Sequence, residues 1–225
     1  MRSAVFDLDG TLADTAADLI AAANHCLEPY GTALDAAVDA STAFHGGRAM
    51  LRLGLSRLGP VDEMAVDRLY PELLAFYGAH ICRHTVLYPG VREALDTLAA
   101  TGWRLGVCTN KPEGLARTLL GELGLLERFI ALIGADTLPV RKPDPAPLLE
   151  TIARLGGTPA RTAMIGDTLT DRATARAAGV PAILVTFGPE GIDVARHSPE
   201  ALIAGYGELP ALLENLIPAT RHESA

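Results

Sequence analysis

Hydrophobic positions open the chain with a short buried strand over Arg2–Phe6, which stops abruptly at Asp7-Leu8-Asp9-Gly10-Thr11. From Asp14 the period becomes helical: Leu19, Ile20, Ala23 and Leu27 share a face, and Asp14 or Thr15 is placed to cap. Further helical stretches follow at about 48–58 and 62–80, and nothing between 14 and 84 reads as strand. After Tyr88-Pro89-Gly90 the pattern changes. A helix bearing Val91, Leu95 and Leu98 stops at Gly102, and a strand spans Trp103–Thr109. A helix with Pro112 in its first turn carries Leu115, Leu119 and Leu123 to Gly124, and a strand follows near 129–134. A helix at 145–155, a strand at 162–166, a helix at 170–178 and a last strand at 181–186 complete the series. The tail 219–225 is expected to fray.

Strands alternating with helices of about ten residues make βαβ units, and hence a parallel sheet covered on both faces. The expected fold class is α/β: an open, parallel, Rossmann-like core at 1–13 and 85–225, with an inserted α-helical cap at 14–84.

Composition narrows the function classes. The chain has 225 residues, 49% of them hydrophobic and 20% charged, so a large ordered core is expected rather than disorder. The formal net charge is −8 and no Lys/Arg run is present, which argues against nucleic acid as a partner. No stretch approaches the ~18 apolar residues of a membrane span, and no apolar segment precedes Asp7 as in a signal peptide, so a cytoplasmic protein is expected. Cys26, Cys82 and Cys108 lack metal-ligand spacing and read as free thiols in a reducing compartment. No heptad or apolar patch announces an oligomer, leaving a monomer or small homo-oligomer. Of 19 basic residues two are lysines, Lys111 and Lys142. A lysine kept against an arginine bias suggests a site that wants a compact point charge.

In an open α/β sheet, ligands gather beyond the carboxyl ends of the strands. This sequence puts Asp7, Asp9 and Thr11 at the first such end, Thr109-Asn110 at the second, and Gly166-Asp167 at another, with Asp171 four residues on. Lys142-Pro143 precedes the helix at 145–155. Crowded carboxylates repel unless a cation lies among them, and an all-oxygen donor set suits Mg²⁺ shared with a substrate phosphate. Carboxylates at i and i+2 past a strand can face one space, one attacking phosphorus and the other trading protons. Gly10 permits the tight turn. The helix starting near Pro112 would aim its amino-terminal dipole at the same place.

Four segments carry a family likeness: Phe6-Asp7-Leu8-Asp9-Gly10-Thr11-Leu12, Thr109-Asn110-Lys111-Pro112, Arg141-Lys142-Pro143-Asp144-Pro145 and Ile165-Gly166-Asp167-Thr168 with Asp171. In this order they resemble the haloacid dehalogenase (HAD) superfamily, most closely its phosphoglycolate phosphatase branch with a helical, C1-type cap. The resemblance implies a Mg²⁺-dependent phosphoric monoester hydrolase working through a phosphoaspartate. It makes Asp7 nucleophile and metal ligand, and Asp9 acid/base and carbonyl ligand to the metal. Thr109 and the Asn110 amide hold phosphoryl oxygens, Lys142 stabilises charge, Asp167 completes the metal site and Asp171 supports it. Lys111 reads either as a solvated first-turn residue or as a substrate contact.

An acid/base at Asp9 favours phosphoryl transfer over dehalogenation, and a cap without lysine excludes a phosphonatase Schiff base. Hexose-phosphate mutases of this type usually carry His or Lys early in the cap, where Thr15–Ile20 stands here. In His45-Gly46-Gly47-Arg48 the arginine could pair with a substrate carboxylate, or stand exposed at a helix start; His45 reads as capping or packing. The expected partner is a small phosphorylated metabolite, first 2-phosphoglycolate, with pyrophosphate, nucleotide and sugar phosphates as alternatives. A non-enzymatic phospho-acceptor or binding module is disfavoured, since no motif residue is lost. The cap is expected to close over substrate, hinged near Ala13–Thr15 and His84–Pro89.

Overall fold

The computed structural model describes residues 1–219, so the tail expected to fray lies, beyond Ala219, outside the described residues. The chain runs β1 (Arg2–Phe6), β2 (Ala13–Asp14), α1 (Ala16–Leu27), α2 (Ala40–Ala43), α3 (Gly47–Ser56), α4 (Glu63–Ala79) and β3 (Val86–Leu87). It continues α5 (Val91–Ala100), β4 (Trp103–Cys108), α6 (Glu113–Glu122), β5 (Ala131–Ile133), α7 (Ala146–Arg154), β6 (Thr162–Gly166), α8 (Leu169–Ala178), β7 (Ala182–Val185), β8 (Ala201–Ile203) and α9 (Leu209–Leu216). Contacts divide it into two units, one made of Met1–Leu12 and the chain from Leu87 onward, the other of Ala13–Val86.

The first unit is a six-stranded sheet in the order β5-β4-β1-β6-β7-β8, every pairing parallel. All five residues of β1 are buried, as a central parallel strand covered on both faces requires. Val5 pairs with Gly106 on one side and Met164 on the other. Val5, Cys108 and Met164 pack into a cluster with Leu148, Ile152 and Leu155 from the α7 segment and Ala175 of α8. Gly106 lets α7 come close, since a Cβ there would lie 2.8 Å from the Thr151 methyl. From β1 the sheet grows outward in both directions, so the β1–β4 and β1–β6 edges form the crevice where such folds bind ligands.

The second unit packs α1, α3 and α4 against one another. Gly54 is where α3 meets α1: a Cβ would stand 2.2 Å from a Leu27 methyl. Buried Asp18 of α1 accepts hydrogen bonds from the amides of His84 and Thr85 and from the Thr85 hydroxyl, tying down the unit's last segment. No helix among the described residues is long and apolar enough to cross a membrane.

Three details depart from the sequence reading. Of the two capping candidates, Thr15 takes the N-cap position of α1 without a side-chain bond, whereas Asp14 ends the two-residue strand β2, its side chain accepting from the Ala16 amide at 3.1 Å. Pro112 precedes α6 rather than lying in its first turn, with ψ of 137°. The strand at 181–186 is not the last, for β8 and α9 follow. Three residues of edge strand are too short to show a period.

Candidate active site

Asp7 follows β1 directly, and its amide still donates to Ile165 at 2.9 Å. The chain then turns sharply. Leu12 donates to the Leu8 carbonyl at 3.0 Å, and Gly10 holds φ of 81°, a conformation that a side chain would strain. Leu8 is fully buried and anchors the turn, which leaves Asp7 and Asp9 at the rim. The neighbouring strands β4 and β6 deliver Thr109-Asn110-Lys111 and Asp167 beside them, and Lys142 enters from the loop before α7.

Lys142 is the hub of the buried charges. Its side chain is 1% exposed, and its ammonium lies 2.7 Å from Asp171 Oδ1 and 3.0 Å from Asp7 Oδ1. The other oxygen of Asp171 accepts from the Thr168 hydroxyl (2.7 Å) and from the amides of Thr168 and Asp167. Asp171 thus closes a capping box on α8 and braces Lys142 at once. Thr11 donates to Asp167 Oδ1 at 2.7 Å. Two buried carboxylate oxygens then have no hydrogen-bond partner, Asp7 Oδ1 and Asp167 Oδ2; the contact of the former with Lys142 is one of charge, outside hydrogen-bond alignment.

Electrostatics follow from this crowding. Burial foremost raises Asp7 to about 6, with Lys142 opposing and Asp171 and Asp9 adding to the rise. Asp167 is pushed well above the usual carboxylate range, by burial first and then by Asp171 and Asp7. Burial by itself would lower the Lys142 ammonium, but Asp171 and Asp7 outweigh it and hold the group upward. Cys108 beside them is driven to about 12, chiefly by burial, and is inert as a nucleophile. Oxygens of Asp7, Asp167 and Asp171 lie within 4.8 Å of one another. Asp171 has both oxygens engaged, so Asp7 and Asp167 are the pair with an oxygen to offer. An excess of buried negative charge, oxygen donors and two carboxylate oxygens without a hydrogen bond fit a hard divalent cation.

Lys111 is neither solvated nor reaching outward. Its side chain is 4% exposed, and its ammonium donates to both oxygens of Asp9 at 2.7 and 2.8 Å. Thr109 is buried and its hydroxyl accepts from the Lys111 amide at 3.2 Å, whereas Asn110 is exposed and donates from its side chain to the Lys142 carbonyl. Arg48 belongs to the helical unit, where it pairs with Asp67 and lies 4.3 Å over the Tyr70 ring. Exposed His45 precedes the turn into α3, at which Gly46 has φ of 92°.

Two glycines do work that sequence did not reveal. A Cβ on Gly166 would sit 2.4 Å from the Asp171 Cβ, and one on Gly134 would sit 2.4 Å from the Glu113 amide nitrogen and 2.8 Å from the Lys111 carbonyl. Each lets the backbone behind a functional side chain come close; a glycine in the sequence shows its flexibility, not its neighbours.

The family model described as "Haloacid dehalogenase-like hydrolase" matches residues 4–185, spanning every element that delivers these side chains. The chain belongs to this family. Among HAD relatives, phosphoglycolate phosphatase of Mesorhizobium japonicum is 42% identical over 221 residues, 97% of each chain. That of Agrobacterium fabrum is 40% identical over 217 residues, 95% of this chain and 93% of its own. The crystal structure of "a predicted phosphoglycolate phosphatase" from Haemophilus somnus superposes with a TM-score of 0.85 at 25% identity, covering 94% of this chain and 97% of the other. The α/β sheet and its order are those of a HAD fold, and the chain is a HAD phosphatase, a phosphoric monoester hydrolase.

Proposed function

We propose that this HAD phosphatase is Mg²⁺-dependent and hydrolyses 2-phosphoglycolate through a phosphoaspartate on Asp7. The observation that carries the reading is Asp7 Oδ1, which makes no hydrogen bond and is held in the crevice 3.0 Å from the Lys142 ammonium with Asp167 beside it. Asp7, Asp167 and the Asp9 carbonyl would hold the metal. Bound there, Mg²⁺ supplies positive charge that lets a carboxylate and a phosphate dianion approach each other.

The chain's own residues do the rest. An Asp7 oxygen attacks phosphorus while the ester P–O bond breaks, and the leaving oxygen takes a proton from Asp9. Lys111, bound to both Asp9 oxygens, orients that carboxyl. Lys142, the Thr109 hydroxyl and the Asn110 amide balance the phosphoryl charge. Water then gives a proton to Asp9 and attacks phosphorus. The Asp7–phosphorus bond breaks, inorganic phosphate leaves and the carboxylate is restored. Asp171 acts through Lys142.

The relatives' names support 2-phosphoglycolate, and the guanidinium of Arg48 suits its carboxylate. The test is phosphate release, with and without Mg²⁺, from 2-phosphoglycolate, sugar phosphates, nucleotides and pyrophosphate. The reading expects turnover led by 2-phosphoglycolate, abolished by Asp7→Asn. Arg48→Ala should raise KM about tenfold for 2-phosphoglycolate, the loss of roughly one charge-assisted contact, and leave esters without a carboxylate unaffected. Absence of Mg²⁺-dependent turnover of every ester would sink the proposal.

A further inference from the structure

Tyr206 lies beyond the residues matched by the family model and far in sequence from every motif, yet it is 1% exposed. Its hydroxyl donates to the Thr11 carbonyl at 2.8 Å, inside the turn that carries Asp7 and Asp9. Thr11 in turn donates its own hydroxyl to Asp167 Oδ1 at 2.7 Å. The oxygen at the end of this relay, Asp167 Oδ2, is one of the two buried carboxylate oxygens without a hydrogen bond among the described residues. The phenol is well placed to serve as a fixed donor. Its ring packs against Phe187, with centroids 5.5 Å apart, and Phe187 packs on Tyr88 at 4.9 Å. On another side it meets Gly90, where even a Cβ would come within 3.3 Å of the Tyr206 Cβ. Burial, helped by the charge of Asp167, drives its ionisation upward, so the hydroxyl keeps its proton to donate.

A carboxylate has two oxygens and can rotate, so a neighbour that claims one of them decides where the other points. Thr11 makes that claim, but its hydroxyl is only as well placed as its own peptide unit. Tyr206 holds that unit by the carbonyl. We propose that Tyr206 is a positioning residue for the cation site: by holding the Thr11 carbonyl it sets the Thr11 hydroxyl on Asp167 and aims the second Asp167 oxygen at the metal. The inference rests on the Mg²⁺ reading given above. It adds a residue to that site from a segment outside the four motifs.

The experiment is calorimetric titration of Mg²⁺ into the metal-depleted full chain, well below the melting temperature of each variant. The proteins are wild type, Tyr206→Phe, Thr11→Val and the double variant. Outer-sphere partners of metal ligands are commonly worth ten- to a hundredfold in affinity, and Tyr206 acts one bond further out. Tyr206→Phe is therefore expected to weaken Mg²⁺ binding about tenfold. Because the two residues share one path, the double variant should bind no more weakly than Thr11→Val. In the phosphatase assay Tyr206→Phe should need correspondingly more Mg²⁺ and recover its kcat when Mg²⁺ saturates. A merely structural tyrosine would lower the melting temperature and leave the Mg²⁺ affinity unchanged; that result, or losses that multiply in the double variant, overturns the proposal. Wild-type protein that binds no Mg²⁺ would instead overturn the metal reading itself, and the inference with it.

Discussion

Replacing Asp7 with Asn should stabilise the metal-free protein while abolishing its activity, and the gain should depend on pH in a defined direction. Asp7 is raised to about 6 in the folded chain from 3.8, mainly by burial, with Asp171 and Asp9 adding to the rise. A group raised in this way contributes stability in its neutral form. That contribution is complete below about pH 4 and is lost as pH climbs through 6. A gap of roughly two pK units, at about 1.4 kcal/mol each, makes the ionised side chain costlier by about 3 kcal/mol at pH 8. Asn has the shape of the carboxyl and none of its charge. In a metal chelator, Asp7→Asn should therefore match wild type near pH 4 and exceed it by up to about 3 kcal/mol at pH 8, or roughly 6–12 °C in melting temperature. Saturating Mg²⁺ should reverse the order at pH 8, because the cation binds and stabilises the ionised wild type. Differential scanning calorimetry at pH 4, 6 and 8, with chelator and with Mg²⁺, reads all of this. A chelated Asp7→Asn variant no more stable than wild type at pH 8 would refute the claim that buried charge at this position is held against its own desolvation.

Gly166→Ala should cost about 1–3 kcal/mol and most of the activity. Its Cβ would press into the Asp171 carboxyl, which is fully buried and braces Lys142 at 2.7 Å; thermal melts with an activity assay check this, and an unchanged enzyme would contradict it. Lys111→Met should reduce kcat about a hundredfold, in the range of losing one charge-assisted contact at a reacting group, with Lys111→Arg recovering part. Steady-state kinetics with kcat unchanged in Lys111→Met would remove Lys111 from the handling of Asp9.

Much of this protein is set by local pattern. The buried run Arg2–Phe6, the glycine after Asp-x-Asp and the alternation of short apolar runs with amphipathic stretches are short-range signals, and they suffice for an α/β sheet with a helical insert after its first strand. The order Asp7, Thr109, Asp167 likewise marks the strand ends, with Lys142 in the loop before α7, because chemistry at such places is written in consecutive residues. What sequence left open depends on which strands lie side by side and what each side chain meets. The order β5-β4-β1-β6-β7-β8 decides that Thr109 and Asp167 flank Asp7. Lys111, which the sequence left between a solvated first-turn residue and a substrate contact, proves to be buried against Asp9 because its loop is pressed inward past Gly134. Asp171, expected to support the metal site, is the brace of Lys142 and also closes the capping box of α8, since α8 starts directly behind Asp167. Tyr206 carried no signal at all: its partner Thr11 is 195 residues away, and a hydrogen bond across that separation leaves no periodicity to read. Local chemistry is written in neighbouring residues, whereas burial and long-range contact arise only once the chain has packed, so those were for the tertiary structure to decide.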